Sequence, residues 1–149
     1  PESIIYNKSK ILFGLYNSKS EIVKKDNCYV VEGYTDVMRF HQKGIKNVVS
    51  SSGTALSIDQ INLIRRLTKN ITMLYDSDIA GVSATVRSID IILEQSMNVS
   101  VVLFPNNEDP DSFARNKDTN EIVNFENLLN VLKRRKKIIF LTTSLVFTI

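Results

Sequence analysis

Four short runs rich in β-branched and apolar residues, separated by stretches of helical periodicity, limit what this chain can fold into. The runs are Cys28-Tyr29-Val30-Val31, Asn47-Val48-Val49-Ser50, Ile71-Thr72-Met73-Leu74-Tyr75 and Val99-Ser100-Val101-Val102-Leu103-Phe104. Each reads as a short buried strand. The order is β-α-β-α-β-α-β behind a leading helix. Such alternation predicts an α/β fold: a mostly parallel four-stranded sheet, helices on both faces and right-handed crossovers. Sheets of this kind place ligands beyond the carboxyl ends of their strands.

The helical stretches carry their own marks. Residues 7–25 read as a basic amphipathic helix, with Ile11, Leu12, Leu15 and Ile22 near helical spacing among Lys8, Lys10, Lys19, Lys24 and Lys25. Gly14 weakens it. After the first run, a helix presents Tyr34, Val37, Met38 and His41 on one face and stops at Gly44. Ser57 caps a helix whose face is Ile58, Ile61, Ile64 and Leu67. The next carries Ile79, Val82, Val86, Ile89 and Leu93. Beyond Pro105 and an acidic loop, a short helix is expected from Ser112 and a longer one over 121–132. The expected organisation is a leading helical segment over 1–26, an α/β domain over 27–115 and a C-terminal helical segment over 116–149.

Composition excludes several classes. Hydrophobic residues make up 43% and charged residues 23%, which rules out a disordered or collagen-like chain. With Cys28 and His41 alone of their kinds, an internal disulfide is impossible and a structural zinc site is excluded. The single cysteine fits a reducing cytoplasm, the expected location. The start at Pro1, without signal-peptide features, reads as an excised segment. The apolar run Ile138–Ile149 is too short and too polar to span a bilayer. Cys28 is expected to be a buried small hydrophobe, and His41 a packed histidine. Neither a Ser-His-Asp signature nor a Walker-type loop is present.

Carboxylates stand at three of the four strand ends. Glu32 closes the first, with Asp36 one turn into the following helix; Asp76 and Asp78 close the third; Asp109 and Asp111 follow the fourth. In a parallel sheet these ends share one edge. Unneutralised, the six groups would repel one another. Hard oxygen ligands without His or Cys point to Mg²⁺ or Mn²⁺. Two carboxylates seldom cage Mg²⁺, which keeps waters and takes phosphate oxygens from a substrate. The pattern therefore suits metal-assisted phosphoryl or nucleotidyl transfer. Any one Asp at a helix start is commonly just a cap; a carboxylate at three strand ends is not explained that way. Between the second run and its helix, the backbone N–H groups of Gly53 and Thr54 could approach a phosphate.

Glu32-Gly33-Tyr34-Thr35-Asp36 and Tyr75-Asp76-Ser77-Asp78-Ile79-Ala80-Gly81, with Ser52-Gly53-Thr54-Ala55-Leu56 and Asp109-Pro110-Asp111-Ser112-Phe113, resemble the Toprim domain shared by primases, topoisomerases and some nucleases. The wording resembles the catalytic core of bacterial (DnaG-type) DNA primases, and Asn7–Tyr16 resembles the segment that leads into it. The resemblance spans roughly residues 4–132. It implies that Glu32, Asp76 and Asp78 are the central catalytic and metal-site carboxylates, that Asp36, Asp109 and Asp111 belong to the same site, and that Lys8 contacts phosphate or nucleic acid. It implies synthesis of short RNA primers on single-stranded DNA from ribonucleoside triphosphates during replication, with more than one divalent ion. The family's zinc-binding and helicase-binding modules have no counterpart in these residues, so contact with the replicative helicase is expected only through a module outside them. Primer synthesis by this segment alone is expected to be weak or absent.

Two features depart from the family pattern. Ser77 stands where the family has glycine, and the tail Lys133-Arg134-Arg135-Lys136-Lys137 followed by an apolar run does not resemble the family's continuation. Other readings are a Toprim nuclease or ribonuclease-maturation protein, and a non-catalytic Mg²⁺-binding receiver-like module. The last needs a Lys soon after the fourth strand, and the first there is Lys117. The net charge of +3 comes from the tail: residues 1–132 hold 14 Lys and Arg against 16 Asp and Glu. A nucleic-acid partner is thus argued from the acidic edge and the lysines beside it, not from the overall charge.

Overall fold

The computed structural model describes residues 7–52, 55–75 and 79–103. A 3-10 turn over Lys8–Lys10 precedes α1 (Leu15–Lys25), β1 (Cys28–Val31), α2 (Tyr34–Gln42), β2 (Val48–Ser50), α3 (Ile58–Arg65), β3 (Asn70–Tyr75), α4 (Ile79–Glu94) and β4 (Asn98–Leu103). The four strands form one parallel sheet in the order β2-β1-β3-β4. Tyr29 stands beside Val48 on one side and Thr72 on the other. Each expected strand is present within about a residue of its expected ends.

Right-handed crossovers decide which helix covers which face. The connection from β1 to β2 runs one way across the sheet. Those from β2 to β3 and from β3 to β4 run the other way. So α2 covers one face, and α3 and α4 the opposite one. Two separate cores record this. Cys28, Val30, Val49, Ile71, Met73 and Val99 pack with Ile22 of α1, Ile61 and Ile64 of α3 and Ile92 of α4. Tyr29, Val31, Val48, Leu74 and Val102 pack with Val37 and Phe40 of α2 and with Ile45. Alternate strand residues point to opposite faces, which is why every residue of β1 is buried. Cys28 is fully buried, as expected.

Three helix faces differ from the periodicity reading. In α2, Val37 and Phe40 form the buried line, while Tyr34 and Met38 are 39% and 50% exposed. The stripe therefore centres one position away from the one drawn through Tyr34 and Met38. In α3, Ile61 and Ile64 are buried but Ile58 is half exposed. In α4, Ser88 and Ile92 are buried, with Val86 and Leu93 exposed. Ser88 is tolerated there because its hydroxyl accepts from Leu56 N–H at 3.2 Å.

The leading segment is not one helix. The turn at Lys8–Lys10 ends in extended backbone, and Phe13 bridges to Ser50 with reciprocal hydrogen bonds of 3.0 and 3.1 Å. α1 then starts from Gly14 at φ +82°. A Cβ on Gly14 would lie 2.9 Å from Val37 Cγ1 and 3.3 Å from the Val48 carbonyl oxygen. Glycine is required both for the left-handed conformation and for the close approach.

The amino-terminal edge of the sheet is closed by neutral side chains and one carboxylate. Thr72 donates to Asn27 Oδ1 (3.1 Å), Asn47 to the Asn27 carbonyl (3.0 Å) and Thr68 to Asp26 Oδ1 (2.7 Å). Asn70 donates to Asp26, and Asn98 to Asn70. The other edge is thereby left for chemistry. No helix among the described residues is long and apolar enough to cross a membrane.

Candidate active site

Two sheet connections diverge between β1 and β3. These neighbouring strands send their chains in opposite directions, which opens a crevice beyond their carboxyl ends. Glu32 follows β1 directly, at this crevice. It is half-buried, and its Oε1 is shielded from solvent. β3 ends at Tyr75 and α4 begins at Ile79. Asp76, Ser77 and Asp78 fill that interval and lie outside the described residues, as do Gly53, Thr54, Asp109 and Asp111.

The Glu32 backbone is held from the next strand. Ser50 Oγ donates to the Glu32 carbonyl at 2.8 Å and accepts from Ser52 N–H at 2.9 Å. Ser52 itself sits at φ +70°, an uncommon conformation for a residue with a Cβ. One hydroxyl thus ties the end of β1 to the start of the loop that carries Gly53.

Asp36 is placed one turn into α2. Its Oδ2 accepts from Gly33 N–H at 2.9 Å, so it neutralises a free donor at the helix start. That contact is a capping role, and it occupies one of the two carboxylate oxygens. Gly33 itself is close-packed by this arrangement: a Cβ there would stand 3.0 Å from Asp36 Oδ2.

Lys8 is half-buried in the 3-10 turn. Its carbonyl accepts from Gln60 Nε2 at 2.9 Å, and the Ile11 carbonyl accepts from the same nitrogen at 2.8 Å. Gln60 is fully buried. Its Oε1 takes Ser57 N–H at 3.0 Å while Ser57 Oγ takes Gln60 N–H at 3.1 Å. Ser57 Oγ also donates to the Ser9 carbonyl. The start of α3 and the leading segment are thereby locked together at the β2 end of the same sheet edge as Glu32. Ser57 caps α3 as expected. The role of Gln60 is new: Ser-x-x-Gln signals a capping box, but not that the amide nitrogen reaches two distant carbonyls.

An aromatic pair also borders this edge. Phe13, bonded to Ser50, and Tyr34, two residues after Glu32, stand 4.7 Å apart and are each more than a third exposed. His41 is half-buried, with Nε2 3.2 Å from Ser18 Oγ and 3.3 Å from the Val48 carbonyl oxygen. It faces packed polar groups on the side of α2 turned toward α1 and β2.

The donor chemistry that is described suits a hard cation. Glu32 brings a carboxylate with one oxygen out of water to the crevice between β1 and β3. Among the described residues no three His, Cys, Asp or Glu side chains assemble as a metal cluster. Glu32 and Asp36 are the only members of the expected set that fall within them.

A protein-family model described as Toprim-like matches residues 29–114. The DNA primase of Staphylococcus epidermidis is 38% identical over 125 residues, covering 84% of this chain and 21% of that protein. The DNA primase of Staphylococcus aureus strain COL is 41% identical over 113 residues, covering 76% and 19%. The chain thus spans about a fifth of the length of the curated relatives it matches. Among solved structures, the Aquifex aeolicus primase (zinc-binding and RNA polymerase domains) superposes with a TM-score of 0.78 at 38% identity, over 85% of this chain and 32% of that one. A DNA primase domain from Pseudomonas aeruginosa gives 0.75 at 34% identity, over 83% and 39%. A DnaG primase catalytic domain bound to single-stranded DNA gives 0.74 at 32% identity, over 83% and 41%. The family match covers more than half of the residues, the parallel sheet is that of the primase catalytic cores, and the chain belongs to the Toprim-like family.

Proposed function

We propose that this chain supplies the metal-binding part of a bacterial-type DNA primase core and supports synthesis of short RNA primers on a single-stranded DNA template. The observation that carries this is the position of Glu32 at the crevice between β1 and β3, beside the strand whose chain continues into Asp76-Ser77-Asp78. In this reading Glu32, Asp76 and Asp78 hold Mg²⁺ or Mn²⁺, with Asp36, Asp109 and Asp111 as further acidic positions. A divalent ion bound there would offset the negative charge of a ribonucleoside triphosphate and of the attacking 3′-hydroxyl. Gly53 and Thr54 present backbone N–H groups to phosphate, and Lys8 adds a cation on a segment anchored by Gln60. Template DNA, ribonucleoside triphosphates and the growing RNA primer are the proposed partners; the replicative helicase would be engaged through another module. The DNA-bound primase structure among the relatives supports the nucleic-acid part of this reading.

The test is Mn²⁺ titration of the chain and of its Glu32→Ala and Asp76→Ala variants by calorimetry. Each variant is expected to bind at least about tenfold more weakly, the loss seen on removing groups at a metal site. Unchanged affinity in both would sink the assignment. Incubating the chain, joined to the remainder of a primase core, with single-stranded DNA and ribonucleoside triphosphates should give primer-length RNA. Cleavage of the DNA instead would favour a nuclease.

A further inference from the structure

A second polar cleft lies away from the carboxylate crevice, between the Lys8–Lys10 turn and the outer side of α3. It encloses about 490 Å³ and is lined by Lys10, Asp59, Asn62, Leu63, Arg65 and Arg66. Three cations face one carboxylate. Lys10, Arg65 and Arg66 are exposed, and none pairs with an acidic group among the described residues. Asn62 Oδ1 is buried there without a hydrogen-bond partner. The walls are not free to drift apart, because Gln60 and Ser57 bond α3 to the turn.

We propose that this cleft binds the backbone of a single nucleic-acid strand, with Arg65, Arg66 and Lys10 on its phosphates. The inference rests on the polymerising role proposed above and adds a path for the strand. Guanidinium forks match phosphate oxygens in pairs. Continuity favours a strand over an acidic peptide. The 3-10 turn that contributes Lys10 also carries Lys8 at the catalytic edge, and α3 runs roughly 12 Å from that edge to Arg65. The four cations therefore mark one track leading away from the crevice.

The test is fluorescence-anisotropy titration of the whole chain with a labelled oligodeoxythymidylate of about 15 nucleotides, in EDTA, across a salt series. The Arg65→Ala/Arg66→Ala variant is expected to bind about tenfold more weakly at low salt. Its log–log salt slope should fall by about 1.4, two phosphates at roughly 0.7 each for a single strand. Lys10→Ala should lower the slope by about half as much. Both arginines are exposed, so the variant's circular dichroism and melting should match the parent's. Unchanged affinity and slope in the arginine variant would overturn the cleft assignment and leave the Glu32 reading, tested by Mn²⁺ titration, standing. Failure of the parent to bind the oligonucleotide would overturn it as well. A loss confined to ATP binding, or to binding of poly-glutamate, would overturn it in favour of a free nucleotide or an acidic peptide.

Discussion

Gln60→Glu should destabilise the chain, although glutamate and glutamine are interchangeable in an ordinary capping box. The introduced carboxylate keeps the acceptor for Ser57 N–H, now at 3.0 Å from Gln60 Oε1. It removes the Nε2 donor that serves the Lys8 and Ile11 carbonyls at 2.9 and 2.8 Å. The contact to the Ser51 carbonyl, at 3.4 Å, is too long to count for much. Two lost bonds amount to about 1–3 kcal/mol. A buried anion facing two carbonyl oxygens adds desolvation and repulsion, for a total of about 3–5 kcal/mol. At this chain length, that lowers the melting temperature by roughly 10 °C. Protonation would relieve the penalty. The folded state raises the pKa of the introduced acid, so the gap to the parent should narrow as pH falls through that raised value and stay full above it. Urea unfolding at several pH values, with the slope held constant, measures this. A Gln60→Glu variant as stable as the parent at neutral pH would refute the assignment of the amide nitrogen to the leading segment.

Three further outcomes are expected. Gly14→Ala should cost about 2–4 kcal/mol, combining a left-handed alanine with a Cβ 2.9 Å from Val37 Cγ1; thermal melting checks it, and a neutral effect would mean that α1 can shift away from β2. Asp36→Ala should lose about 1 kcal/mol of stability by freeing Gly33 N–H, while Asp36→Asn should keep most of it; denaturant midpoints separate the two, and equal losses would show that the charge rather than the acceptor matters. Thr72→Val should cost about 1–2 kcal/mol despite its matching shape, because Asn27 Oδ1 loses its buried donor; a smaller change in urea unfolding would mean that water replaces the hydroxyl.

The strands were legible because each is short, apolar and rich in β-branched residues, and burial on both faces leaves little freedom in reading them. The helix faces were less so. Tyr34 and Met38 lie beside the buried line of α2 and Phe40 lies on it, and hydrophobicity alone does not say which of them faces the sheet. The helical spacing of Ile11, Leu12 and Leu15 predicts a helix over the leading segment. Its real course follows from Gly14 and from the pairing of Phe13 with Ser50, a contact between residues far apart in the chain. Of the candidate site, Glu32 was placed by its position after a strand. The capping bond of Asp36 was visible only as the general alternative for any Asp near a helix start.

Taken alone, the order of residues determined the number of strands, their parallel sense and the sheet edge at which Glu32 stands, because these follow from local periodicity and from the chirality of crossovers. Only the tertiary structure decided the strand order, and with it that β1 and β3 are the neighbours between which the chain diverges. It alone brought Lys8, Ile11 and Gln60 together across some fifty residues and opened the cationic cleft along α3. Local sequence sets backbone preference over a few residues. Which distant carbonyl fills a buried amide, and which cations share a groove, depends on how the completed layers stack.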